Sequence, residues 1–178
     1  MRPPRCTIDS SCVIALDHLE LVPKLSLLFS VVLVPKAVRE ELFKDRLTKD
    51  RLQFLLRAYE FFRRCDGYDR GTVEFLLADR LREGGQDRGE VEAVVQAIEL
   101  GAAVLVDDPW GRQLAAHDDL EYHGTLWVLE SFHQLGLLSP VELRGCLKSL
   151  QLRGIRLPWE TVNVLLAKVG QDPLSPGG

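Results

Sequence analysis

The chain has 178 residues, 46% of them hydrophobic and 27% charged, with a formal net charge of −4. That length fits one domain with its own core and an appended helical tail. The negative balance argues against a general nucleic-acid binder, and no apolar run approaches the roughly 20 residues of a membrane helix.

In chain order, residues 7–16 mix Ile, Val and Cys and predict a strand running into a helix. Residues 19–29 read as helical, and residues 30–34 as a β-branched strand closed by Pro35. A helix follows over 36–43, then a longer amphipathic helix over 47–65. Residues 72–82 predict another helix, ended by Gly84-Gly85. Asp87-Arg88-Gly89 opens the next, over 90–100, stopping at Gly101. Residues 102–106 are an unbroken apolar strand, the pattern of a strand buried on both faces. A short helix over 109–117, a last strand over 120–123 and a helix over 125–135 complete the alternation.

Strands alternating with helices predict an α/β fold, a parallel sheet covered by helices. The expected sheet domain is 5–136, and helices over 140–152 and 159–169 form a C-terminal extension, 137–170, packed on it. The Pro/Gly-rich end, 171–178, is expected to be disordered.

Cys6, Cys12, Cys65 and Cys146 lack metal-knuckle spacing and read as free, mostly buried thiols of a reducing, cytoplasmic compartment. His18, His117, His123 and His133 do not stand at ligand spacings beside them and read as surface or helix-end residues. The first residues lack the apolar segment of a signal peptide. Charge is uneven: residues 36–70 hold ten basic side chains against seven acidic ones.

The informative feature is acidic. Asp9 follows Ile8 at the end of the first strand, and Asp107-Asp108 follow the buried strand. Sites in open α/β sheets lie beyond the carboxyl ends of the strands. At about 100° per residue, Glu41 falls on the apolar stripe of Ala37, Val38 and Leu42, with Glu40 outside it. Likewise Glu90 shares a face with Val94 and Ala97, whereas Glu92, Gln96 and Glu99 fall together on the opposite, outward face. Asp9, Glu41, Glu90 and the pair Asp107-Asp108 are therefore the candidate catalytic and metal-holding acids. Carboxylates facing one another repel unless a cation neutralises them, and oxygen-only ligands suit Mg²⁺ or Mn²⁺. Most of these acids also have a structural explanation: Asp9 as a helix cap, Glu90 as a first-turn acid favoured by the helix dipole, and Asp107-Asp108 before Pro109 as a turn and helix cap. Arg112, one turn further on, could contact a phosphate or form an ion pair. Ser10 could orient a ligand or cap a helix.

These residues resemble a known family. Ile8-Asp9-Ser10-Ser11 looks like the opening strand of PIN-domain nucleases. The run from Val34-Pro35-Lys36 through Arg39-Glu40-Glu41-Leu42 is similar to their second motif, Gly89-Glu90-Val91-Glu92-Ala93 to the third, and Leu105-Val106-Asp107-Asp108-Pro109-Trp110-Gly111-Arg112 to the fourth. Gly124-Thr125-Leu126 and Gly154-Ile155-Arg156-Leu157 add a likeness to a prokaryotic group related to toxin–antitoxin ribonucleases. The likeness spans residues 6–170 and departs from the commoner pattern at Glu90, more often Asp, and, if Asp108 is the fourth-motif acid, at Val106, where many members have Thr or Ser. It implies a Rossmann-like sheet, Mg²⁺ or Mn²⁺, hydrolysis of RNA, a small antitoxin partner and a homodimer, without a membrane. An aspartyl-nucleophile phosphatase is the rival enzyme, but Ser11 stands where that chemistry wants a second Asp. A dinucleotide-binding fold lacks its Gly-rich loop here. A catalytically weak module that binds a protein partner is the rival of another class. The docking surface expected for a partner is the helical pair over 36–65, with Leu52, Leu55, Leu56, Tyr59 and Phe62 at helical spacing beside Phe54 and Phe61.

Overall fold

In the computed structural model, which describes residues 4–82 and 88–175, five strands form one sheet. They are β1 (Arg5–Ile8), β2 (Val31–Pro35), β3 (Phe62–Cys65), β4 (Ala103–Leu105) and β5 (Tyr122–His123). Their order is β3-β2-β1-β4-β5, and every neighbouring pair is parallel. Parallel neighbours require crossovers, which α1 (Ser10–His18), α2 (Lys36–Leu42), α3 (Arg46–Ala58), α4 (Arg70–Arg82), α5 (Arg88–Leu100) and α6 (Pro109–His117) supply. The α/β architecture read from the alternation is thus the one observed.

The sheet grows outward in both directions from β1 and β4. Connections on the two sides of such a pair diverge and leave a crevice at the carboxyl ends of its strands. Ile8, Val32, Val34, Val104 and Leu105 are fully buried, so the strand ends are fixed by packing on both faces.

Helix α5 lies at the centre of this layer and is buried from Gly89 to Ala97. Ala93, Val94 and Ala97 pack with Val104, Val106 and Ala115, while Val91 and Val95 pack with Val73 of α4 and with Trp110. Its third side is polar and also covered. Glu92 is 1% exposed and Gln96 is fully buried, so the outward face expected for Glu92, Gln96 and Glu99 is a buried one for the first two. These side chains meet backbone groups of neighbouring elements. Glu92 accepts from Ala37 N, Gln96 donates to the Cys65 carbonyl, and Glu99 accepts from Asp69 N.

Three other expectations are corrected. The helix over 19–29 is only a 3-10 segment, Val22–Leu27, because Glu20 takes a φ of 57° and Pro23 has no N–H to give. The long helix over 47–65 ends at Ala58; Tyr59 is extended, and Phe62–Cys65 joins β2 as an edge strand. An aromatic stretch beside an open strand edge gains a ladder there that a helix could not give it. Finally, residues 171–175 are docked: Leu174 is buried, and its backbone exchanges two hydrogen bonds with the Asn163 side chain.

The chain divides into two compact units between His123 and Gly124. The second holds α7 (Thr125–Gln134), α8 (Pro140–Leu152) and α9 (Trp159–Lys168), with a Ser139–Glu142 capping box opening α8. The expected stop at Gly84-Gly85 and the opening at Asp87 lie outside the described residues. No described helix is long and apolar enough to cross a membrane.

Candidate active site

Asp9 leaves β1 and caps α1. Its Oδ1 accepts the backbone N–H of Cys12 at 2.7 Å, and its Oδ2 accepts the Ser11 hydroxyl at 2.8 Å. Its own N–H donates to the Leu105 carbonyl at 3.0 Å, which continues the β1–β4 ladder by one step. The next residue beyond β4's end but one, Asp107, is thereby brought alongside. Its backbone N–H points to Asp9 Oδ2 at 3.4 Å, and its Oδ2 receives the Cys12 thiol at 3.4 Å. The two acids at the ends of β1 and β4 therefore meet, and the cap and the crevice are one place.

Asp9 is 4% exposed. Burial, helped by the charge of Asp107, pushes its carboxyl up to about 7, against the lowering pull of the Cys12 N–H and the Ser11 hydroxyl. Desolvation disfavours the charged form, and a like charge nearby adds to the cost. Arg112 is the cation already at hand: its Nε donates to the Val106 carbonyl at 3.0 Å, and its guanidinium lies 3.5 Å from Asp107 Oδ1. Arg112 thus forms an ion pair while a third of its side chain stays exposed.

Asp108 serves the helix that follows. It is the N-cap of α6 and accepts from Trp110 N at 2.8 Å. Between the two alternatives at this strand end, Asp107 is the one that joins Asp9. Glu90 is 1% exposed and lies against the first turn of α6. There, a Cβ on Gly111 would collide with the Glu90 carboxylate and stand 2.7 Å from Val106 Cγ2. Gly111 is thus a position of close approach, where absence of a side chain makes room for the acid. Glu41 is half-buried on α2, a helix that packs on α1 and α5. Ser10 is buried in the first turn of α1; Ser11, not Ser10, holds the Asp9 carboxylate.

Among the described residues, no three His, Cys, Asp or Glu side chains converge closely enough to cage a metal ion. Mg²⁺ is ordinarily held by one or two carboxylates, with substrate phosphates and water completing its shell. Asp9 and Asp107 meet that requirement. Their proximity raises the proton affinity of Asp9, and a divalent cation would compensate the same charge.

Sequence reasoning assigned no role in the site to Ser11, Cys12, Gly111 or Glu92. The first two were within reach, because a capping Asp accepts from residues two and three places on. Gly111 also carried a signal, as a glycine inside a helical first turn with no turn to make.

A family model described as PIN domain matches residues 5–171. No curated protein matches the chain.

Proposed function

We propose that this chain, which belongs to the PIN-domain family, is a nuclease that hydrolyses RNA phosphodiester bonds with Mg²⁺ or Mn²⁺ held by Asp9 and Asp107. The family is one of nucleases in general; the RNA substrate and the metal dependence are our reading. The observation that carries it is the meeting of those two carboxylates at the β1–β4 crevice, with Asp9 held near neutrality by burial and by its neighbour. A bound divalent cation supplies a water of lowered pKa and a positive charge for the departing oxygen.

The chain's own groups prepare the place. Ser11 and the Cys12 N–H fix both oxygens of Asp9. Arg112 orients Asp107 from the side of α6. Glu90 and Glu41, on α5 and α2, are the further acids we assign to the set, and Asp108 holds the start of α6. On the same reading the chain is the toxin of a toxin–antitoxin pair, restrained by a small protein partner. A partner's basic side chain among these acids would compete with the cation.

Cleavage of RNA should require added Mg²⁺ or Mn²⁺, stop with EDTA, and be lost on Asp9→Asn, which keeps the cap but removes the charge. Cleavage that survives both EDTA and this substitution would sink the proposal. A second reading, a weak module that works by binding a protein, draws support from the structural use already made of Asp107 by Arg112 and of Asp108 as a cap. Calorimetric titration with Mn²⁺ separates the two, since such a module need bind no metal.

A further inference from the structure

Glu92 stands two residues beyond Glu90 on α5 and is as deeply buried, at 1% exposure. Its Oε2 accepts the backbone N–H of Ala37 at 2.8 Å. Its Oε1 accepts the Tyr68 hydroxyl at 2.6 Å and the Arg88 Nε at 2.9 Å. A second arm of the Arg88 guanidinium reaches Glu74 of α4 at 2.9 Å.

The Ala37 contact decides what this cluster does. Ala37 lies in the first turn of α2, where backbone N–H groups have no partner within the helix. Pro35, the N-cap residue, provides no side-chain cap. The carboxylate that does the capping comes from another helix, 55 positions along the chain. Glu92 thus takes the part of an N-cap for α2 while itself fixed on α5, and it bolts the first turn of one helix to the side of the other. Glu41 lies one helical turn beyond Ala37 on α2, and Glu90 half a turn before Glu92 on α5. The contact between Ala37 and Glu92 thus ties together the two packed helices that carry those acids.

We infer that Glu92 is a positioning residue for the acidic site: it touches no reacting group, and it holds α2 on α5 so that Glu41 and Glu90 stay in register. The inference rests on the metal-dependent reading above. A mere surface acid would not be buried with three donors around one carboxylate. Partners behind metal ligands commonly matter about tenfold or more in metal affinity.

The test uses the whole chain, with Mn²⁺ affinity from calorimetry and backbone hydrogen exchange over residues 36–42 as paired readouts. Glu92→Gln, which keeps shape but cannot accept from all three donors, should weaken Mn²⁺ binding by about tenfold or more and speed exchange in α2. Tyr68→Phe removes one donor and no acid. It should move both readouts in the same direction, with about a threefold loss of affinity, and it serves should Glu92→Gln fail to fold. Faster exchange in α2 with unchanged Mn²⁺ affinity would overturn the inference and leave Glu92 a stabilising residue only. So would loss of Mn²⁺ binding in Glu92→Gln with Tyr68→Phe unchanged in both readouts, which would make Glu92 a ligand. A wild-type chain that binds no Mn²⁺ would end the metal reading itself, and is recognised before any variant is made.

Discussion

Asp9 carries two duties that conflict. As a cap it stabilises α1 by accepting hydrogen bonds, and as a buried acid beside Asp107 it resists ionisation. Its carboxyl is raised from the ordinary 3.8 to about 7. Between those values the folded chain keeps a proton that the unfolded chain has released, so stability falls as pH rises through that window. Above about 7 both states are ionised and the loss is complete. Asp9→Asn has no such proton to lose. In EDTA, denaturant unfolding of the two proteins should therefore diverge from pH 5 to pH 8, with the Asn variant gaining on the wild type. Parallel pH profiles would show that Asp9 is not the strained acid. A cation reverses the balance, and Mn²⁺ should stabilise the wild type more at pH 8 than at pH 6. Asp9 and Asp107 were legible in the sequence because an acid directly after an apolar strand end is costly wherever it lies. The choice between Asp107 and Asp108 was not, because it depends on which side chain the first turn of α6 claims as its cap.

Among the elements, α5 shows where periodicity misleads. Its polar stripe of Glu92, Gln96 and Glu99 has the spacing of a solvated face, yet two of the three side chains are buried. From Gly89 to Ala97 this helix, enclosed by α2, α4, α6 and the sheet, has no face left for water, and its polar residues serve the loose backbone ends of its neighbours. Nothing in a 3.6-residue period distinguishes that case from exposure. The same limit hid β3, whose pattern through Phe62 continued the helical spacing of Leu52 and Leu55; only the open edge of β2 makes it a strand. The opposite side of α5 rests on a small residue. Gly111→Ala places a methyl group against the Glu90 carboxylate and Val106. Because Val106 follows a buried strand, the acid is what must yield. Gly111→Ala should lower the thermal midpoint by a few degrees, consistent with overpacking that costs roughly 1–3 kcal/mol, and weaken Mn²⁺ binding with it. A variant with wild-type melting and Mn²⁺ affinity would show that Glu90 is not confined by this approach.

At the scale of the molecule, the sheet ends on β3, and an edge strand is a place where another chain can pair. An aromatic ladder runs outward from that edge. Buried Phe62 lies 6.2 Å from Phe61, Phe61 lies 5.9 Å from Tyr59, and Tyr59 meets Phe54 edge-on at 6.5 Å. Phe54 is 52% exposed, whereas Leu52 and Leu55 on the same helix are buried, so α3 has one side in the core and an aromatic rim outside it. Asp50, Phe54 and Arg57 line one shallow groove there, and Glu60, Arg63 and Arg64 line another. A patch holding both signs of charge around an apolar centre can pair with itself under a two-fold axis when the acids of one copy face the arginines of the other. The homodimer that the family resemblance implies should form through that rim. Light scattering at high micromolar concentration should give twice the chain mass for the wild type and the single mass for Phe54→Asp. Both should have the same circular dichroism, because the core side of α3 is untouched. A wild type that stays monomeric at that concentration, or a Phe54→Asp variant that remains paired, would remove the rim from the account.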